Sequence, residues 1–157
     1  MKNRLKGITL VETVLYIGLF SAIIIIVLNF MLSTQEATQR TNIRSHLSTA
    51  SQFVSQHINY SFNKTISVNK DTSIFNNDQG LLDLQFTDGN KQYTISDSRI
   101  YFDGIPITPS SISVTKFLLE PIYKGVDLII GIRTEITLVS NQNDDFTETI
   151  NILSIIR

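Results

Sequence analysis

An uninterrupted apolar segment close to the N-terminus constrains this chain more than any other feature. Residues 13–32 contain no charged side chain, and their polar side chains are those of Thr13, Ser21 and Asn29. As a helix, residues 8–32 would be roughly 37 Å long at about 1.5 Å per residue. The hydrocarbon core of a bilayer is about 30 Å thick, and a helix satisfies its own backbone hydrogen bonds there. The segment is therefore predicted to cross a membrane.

A short basic stretch precedes the apolar segment. Residues 1–7 carry Lys2, Arg4 and Lys6 and no acid. Because positive charge is retained on the cytoplasmic side, the N-terminus is predicted to be cytoplasmic and the chain beyond residue 32 external. A secretory signal peptide fits poorly, since its apolar region is about 7–15 residues long and ends in a small-residue cleavage site. An uncleaved N-terminal anchor remains an open alternative.

Glu12 interrupts the apolar stretch, four residues after Ile8 and on the same helix face. A charge at the centre of a membrane costs on the order of 3 kcal/mol or more, and such residues usually face a partner. Cleavage between Gly7 and Ile8 would create an α-amino group that could neutralise the Glu12 carboxylate, on the same or a neighbouring helix. Alternatively, Glu12 lies near the membrane interface, pairs with Lys6 or is stabilised by the helix N-terminus.

Residues 6–12, Lys-Gly-Ile-Thr-Leu-Val-Glu, follow a basic leader and precede about 20 apolar residues. This combination resembles the class III signal peptide of type IV pilins and pseudopilins. The resemblance, which covers about the first 32 residues, implies cleavage after Gly7 by a prepilin peptidase and N-methylation of the new terminus at Ile8. It also implies that Glu12, as the fifth mature residue, neutralises the terminal amine of an adjacent subunit during filament assembly.

The same resemblance implies a function without catalysis. The chain would be a structural subunit of a type IV pilus, a competence filament or a type II secretion filament, with no cofactor and no small-molecule substrate. Its partners would be the prepilin peptidase, other pilins or pseudopilins and the inner membrane, before export to a filament on or near the cell surface. The β-rich remainder is similar in pattern to minor pilins and pseudopilins of the J and W types, and the absence of Cys favours a minor subunit.

The helix is predicted to continue beyond the membrane. Residues 33–62 contain no Pro or Gly, and apolar residues recur at helical spacing. This stripe comprises Ile43, Leu47, Ala50, Val54 and Ile58. We therefore expect the second half of the helix to pack one face against the rest of the chain.

After about residue 63 the polar and apolar residues alternate, as they do in half-buried strands. We expect six or seven antiparallel strands, with a hairpin from 81–87 to 91–96, a turn at Asp103-Gly104, a bulge at Gly131 and a loop from Ser140 to Asp145. The predicted fold is α+β, with a long N-terminal helix packed on an antiparallel sheet. The predicted divisions are a cleaved leader (1–7), a transmembrane half-helix (8–32), a soluble half-helix (33–62) and a β-rich domain (63–157).

The composition argues against several other classes of protein. A net charge of -1 is unlike that of a strongly basic nucleic-acid binder, and the absence of Cys excludes disulfides and thiol chemistry. His46 and His57 would lie about 16 Å apart on the helix, too far to share a metal. Asn141, Asn143, Asp144 and Asp145 could offer oxygens to Ca²⁺, although a polar hairpin turn accounts for them more simply. A membrane-anchored extracytoplasmic binding module, or an enzyme whose site the sequence does not reveal, is the alternative to a filament subunit.

Overall fold

The computed structural model describes residues 9–125 and 128–156. One helix, α1, runs from Leu10 to Lys64, and the strands that follow it form antiparallel sheets. The α+β class predicted from the sequence is confirmed, as is the continuation of the apolar helix well beyond the membrane-length segment. The chain divides into two compact units, Met1–Asn42 and Ile43–Arg157.

In the first unit, α1 is exposed along its whole described length. The large apolar side chains from Leu10 to Leu32 are 40% to 82% exposed. Thr9 precedes the first helical residue, and its hydroxyl accepts a hydrogen bond of 3.3 Å from the backbone N–H of Glu12. This is the arrangement of a helix N-cap, which satisfies one of the free amides of the first turn.

In the second unit, the predicted stripe of α1 forms part of the core. Leu47, Ala50, Val54 and Ile58 are buried, and Ile43 is half-buried against the same cluster. Every side chain that is buried within the described residues belongs to Leu47 or to a later position. Burial of this stripe confirms that the periodicity of residues 43–58 reflects packing.

Eight strands are present in the described residues, against the six or seven predicted, and they form two sheets. The first sheet has the order β1-β2-β3-β4-β5 and the second the order β6-β7-β8, all antiparallel. The strands are β1 (Ser67–Val68), β2 (Leu82–Phe86), β3 (Gly89–Ser96), β4 (Arg99–Phe102), β5 (Ile105–Pro106), β6 (Ile112–Lys124), β7 (Leu128–Ser140) and β8 (Asn143–Ile155).

The hairpin turns are tighter than the sequence predicts. Pairing of Phe86 with Gly89 leaves only two residues between β2 and β3, whereas the predicted hairpin from 81–87 to 91–96 left three. Between β4 and β5 the turn lies at Asp103 and Gly104 as predicted, with positive φ angles of 51° and 80°. Positive φ at both residues gives the Asp103-Gly104 turn a twist that matches that of the strands it connects.

A β-bulge lies next to Gly131, as predicted. Ile122 pairs with Gly131 whereas the next residue of β6, Tyr123, pairs with Ile129, so Ile130 is an extra residue in β7. The bulge reverses the alternation at the start of the strand. Leu128 is therefore exposed and Ile129 is buried, the opposite of what simple alternation back from the buried Ile132 would give.

Candidate functional site

The first turn of α1 holds the candidate assembly residue. Glu12 is exposed, and the Tyr16 hydroxyl one turn later donates a hydrogen bond of 3.3 Å to Glu12 Oε1. No basic side chain within residues 9–125 and 128–156 forms an ion pair with Glu12. The carboxylate thus lies on the uncovered surface of an apolar helix with one neutral donor, close to the positive end of the helix dipole.

The other predicted processing residues lie outside the described residues. These are the cleavage pair Gly7 and Ile8 and the leader charges Lys2, Arg4 and Lys6. Their roles, and the alternative pairing of Glu12 with Lys6, stay predictions. What the structure describes is the helix surface that follows them.

Within the described residues, α1 is the helix that is both long enough and apolar enough to cross a membrane. Its most apolar 18-residue window has a mean hydropathy of 2.5, and none of that window is buried. A surface of this kind is unstable in water because apolar side chains are favoured in an apolar environment by about 25 cal/mol per Å². The segment weakly indicates membrane anchoring.

The two histidines have different environments. His46 is exposed, whereas His57 Nδ1 lies 2.7 Å from the Tyr93 hydroxyl. Burial lowers the pKa of His57 below its ordinary value of 6.5, because desolvation disfavours the imidazolium. No group of three or more His, Cys, Asp or Glu side chains within the described part of the chain is arranged to hold a metal.

Tyr93 anchors a polar cluster that the sequence did not reveal. It is fully buried in β3, and its hydroxyl lies 2.7 Å from Ser61 Oγ as well as from His57. Burial raises the pKa of Tyr93 well above its ordinary range, with the Ser61 hydrogen bond acting in the opposite direction. The phenol therefore stays neutral and ties α1 to the first sheet. The sequence signal for this cluster was the i and i+4 spacing of His57 and Ser61, which places both side chains on one face of the helix. It did not identify their partner, because Tyr93 lies 32 residues beyond Ser61.

A groove of about 540 Å³ opens beside this cluster, between the end of α1 and the β2–β3 hairpin. Lys64 lies 4.3 Å from the ring centroid of Tyr60, and Lys91 lies 2.8 Å from Asp88. The hydrogen bond from Lys91 lowers the pKa of the Asp88 carboxyl, and the same contact raises the pKa of Lys91. Both cations already have partners within the chain, and this lining contains no nucleophile paired with a base.

Asp83 is a buried acid in β2 that the sequence analysis did not single out. Its Oδ2 accepts hydrogen bonds from the Thr72 hydroxyl and, at 3.4 Å, from Gln92 Nε2. Its backbone N–H donates to Ser73 Oγ at 2.9 Å, and its carbonyl accepts from the Asn69 N–H at 2.9 Å. These contacts hold the segment after β1 against the first sheet, a structural role.

The predicted loop from Ser140 to Asp145 is a two-residue turn, since Ser140 pairs with Asn143 and β8 begins there. Asn141 Oδ1 accepts a hydrogen bond of 2.5 Å from Ser113 Oγ. Asn143 Oδ1 accepts one of 2.9 Å from the Asp145 N–H. The side-chain oxygens of Asn141 and Asn143, two of the four residues that could offer oxygens to Ca²⁺, are thus used within the hairpin and its contact with β6.

Comparison with known proteins leaves the family open, because no family model, curated protein or solved structure matches the chain.

Proposed function

We propose that the chain is a minor pilin or pseudopilin, a non-catalytic subunit of a type IV pilus, competence or type II secretion filament. The observation that carries this proposal is the single acid, Glu12, on an otherwise apolar and uncovered helix surface. Its position, five residues after the predicted cleavage point, is the one that the pilin-like signal requires. The exposed segment of α1 would be held first by lipid and then by the helices of neighbouring subunits.

In this proposal the leader keeps the N-terminus cytoplasmic and a prepilin peptidase removes residues 1–7. The amine of Ile8, which the same enzyme would methylate, then pairs with Glu12 of a neighbouring subunit. Each charge alone would cost on the order of 3 kcal/mol in the membrane, so the pair selects the correct axial position of one helix against the next. The β-rich unit would remain outside the cytoplasm throughout.

A second candidate is an uncleaved, membrane-anchored extracytoplasmic binding module. It is favoured by two contacts in the first turn of α1. The Thr9 hydroxyl caps the helix and the Tyr16 hydroxyl donates to Glu12, so neither the turn nor the carboxylate needs an α-amino group created by cleavage. The two candidates differ in covalent structure. Intact-mass measurement of the membrane form should show loss of residues 1–7 in the filament subunit. Recovery of the full-length mass from cells with active prepilin peptidase would support the anchored module instead.

Substitution of Glu12 tests the charge pairing itself. We expect Glu12→Ala to be cleaved and inserted normally but to enter filaments at least about tenfold less, because the amine would remain unpaired at a cost of ~3 kcal/mol. The measurement is the ratio of chain in sheared filaments to chain in the membrane. Glu36→Gln, at an exposed position beyond the apolar segment of the same helix, is the matched control. Equal incorporation of both variants would contradict the proposed pairing.

A further inference from the structure

The outer edge of β8 is a long free strand edge. Ile156 donates its N–H to Ile130 of β7 at 2.9 Å, so even-numbered residues of this strand direct their backbone groups toward β7. The odd-numbered residues from Thr147 to Ile155 therefore direct their N–H and C=O groups away from the sheet. Within the described residues no strand pairs with β8 on that side.

The other sheet edges are short or covered. β1 and β5 have two residues each, and β5 ends in Pro106. The outer edge of β6 is covered where Val114 donates to the Ser98 carbonyl and Phe117 to the Asp78 carbonyl, both at 2.7 Å. β8 has 13 residues and contains no Pro, Gly or Lys. Because native proteins usually protect long edges by these devices or by charged side chains, the uncharged part of the β8 edge from Thr149 to Ile155 is suited to pairing.

α1 runs beside β8 and leaves a groove at each end of it. The Arg44 guanidinium lies 5.6 Å from the Phe146 ring centroid, and Ser154 Oγ donates to Asn59 Oδ1 at 3.1 Å. From Arg44 to Asn59 the helix advances roughly 22 Å, and from Phe146 to Ser154 the strand advances roughly 26 Å. Because the earlier residue of the helix contacts the earlier residue of the strand and the later contacts the later, the two elements run in the same direction. The grooves that flank the edge have volumes of about 350 and 260 Å³.

The two halves of β8 differ in chemistry. The first half carries three acids, Asp144, Asp145 and Glu148, with the two aspartates exposed. The second half has no charge from Thr149 to Ile155, and its Leu153 and Ile155 side chains are each 57% exposed. A strand that complements this edge in the antiparallel direction has apolar residues in its N-terminal half and basic residues in its C-terminal half.

A second copy of this chain does not meet these requirements. Antiparallel pairing of β8 with itself would relate two copies by a twofold axis perpendicular to the sheet, which reverses every element that runs along the strand. In that arrangement the acidic first half of β8 would lie beside the second half of the other copy, which has no Lys or Arg from Thr149 to Ile155. Pairing of β8 with β6 of a second copy is also disfavoured, because the uncovered end of β6 is short and contains Pro121.

We propose that the free edge of β8 binds an extended segment of a different protein by antiparallel strand addition. The segment would contribute main-chain hydrogen bonds to the odd-numbered residues, apolar side chains beside Leu153 and Ile155, and Lys or Arg beside the acidic half. Main-chain pairing would provide the affinity and the alternating side chains the specificity. The inference does not depend on filament assembly, because an anchored binding module would present the same edge.

The test uses the full chain in detergent micelles and a fluorescein-labelled synthetic peptide, Thr-Val-Thr-Val-Thr-Val-Lys-Thr-Arg-Lys. We expect saturable binding, together with slowed amide hydrogen exchange at the odd-numbered residues of β8. A peptide with Glu in place of each Lys and Arg should bind at least tenfold more weakly. Absence of binding or protection in the wild-type chain, or equal binding of both peptides, would overturn the proposal.

Asn151→Pro is the informative variant, because the N–H of Asn151 faces the free edge and is not needed by the β7–β8 ladder. It should weaken peptide binding at least tenfold with little change in the unfolding midpoint, whereas Asn151→Val should bind as the wild type does. Should Asn151→Pro fail to fold, Thr147→Pro provides the same test nearer the strand end. Protection of β8 that rises with protein concentration in the absence of peptide would identify a second copy as the occupant and refute the proposal.

Discussion

At the scale of single residues, the cluster of His57, Ser61 and Tyr93 shows how polar groups can be buried in the core. The Tyr93 hydroxyl can donate to His57 Nδ1 only while that nitrogen is unprotonated, and Ser61 can then donate to the phenolic oxygen. Protonation of His57 would turn Nδ1 into a donor and force the Tyr93 proton toward Ser61 or the His57 carbonyl. The cluster is therefore coupled to pH through one imidazole.

This coupling predicts how stability depends on pH. Burial lowers the pKa of His57 in the folded chain below its unfolded value of 6.5. The unfolded chain consequently binds more protons at His57 between the folded pKa and 6.5. The part of the free energy of unfolding that depends on His57 is therefore fully present above pH 6.5 and is lost as the pH falls through the folded pKa. We expect His57→Gln to reduce this slope between about pH 7 and pH 5 in urea titrations. His46→Gln, at an exposed position of the same helix, controls for loss of a histidine, and an unchanged slope in His57→Gln would contradict the prediction.

At the scale of elements, the bulge in β7 decides which side chains at the start of this strand enter the core. Simple alternation from Leu128 would bury Leu128 and Ile130 and expose Ile129. Insertion of Ile130 as an extra residue reverses this, so Ile129 is buried. Gly131 permits the arrangement, because a Cβ at this position would lie 2.7 Å from the Ser154 carbonyl oxygen of β8.

Substitution of Gly131 should therefore destabilise the second sheet. The contact that an added methyl group would make is with backbone, which cannot rotate away, so β8 would have to shift. We expect Gly131→Ala to lower the free energy of unfolding by about 1–3 kcal/mol, measured by chemical denaturation. Gly18→Ala is the control, because an added methyl group there meets nothing within 4 Å. Equal stability of the two variants would show that β8 relaxes without cost.

At the scale of the whole molecule, buried and exposed apolar surface are divided between two units. The exposed apolar segment from Leu10 to Leu32 lies in the unit Met1–Asn42, whereas the buried core begins at Leu47. The core cluster draws on α1, the first sheet and the second sheet. The apolar half of α1 therefore contributes no buried side chain to the folding of the rest.

This division predicts that a chain beginning at Ile43 folds by itself. We expect it to be soluble without detergent and to unfold cooperatively on heating, as followed by circular dichroism, because it keeps every buried side chain of the described residues. A chain beginning at Val54 is the matched control. It lacks the buried residues Leu47 and Ala50, and removal of one large buried side chain alone costs about 2–5 kcal/mol. If the chain from Ile43 were insoluble or melted without cooperativity, the proposed independence of the second unit would be wrong.

Much of this structure follows from local sequence. The length of the apolar segment, the helical spacing from Ile43 to Ile58 and the alternation of the strands each report the surroundings of residues a few positions apart. The turn at Asp103-Gly104 and the bulge beside Gly131 were predicted because their backbone geometry favours particular residue types. In the same way, Glu12 is conspicuous because an acid is rare in an apolar run. Gly7 and Ile8, identified by the same short motif, lie outside the described residues.

Other features were decided only in three dimensions. The division of eight strands between two sheets, the contact of His57 with Tyr93, and the free edge of β8 beside α1 depend on residues 36 or more positions apart, or on strand order. Periodicity states that a residue faces a core but does not state which element lies opposite it. That choice depends on the packing of the whole β-rich unit, because pairing energies are summed over long-range contacts that no local pattern encodes.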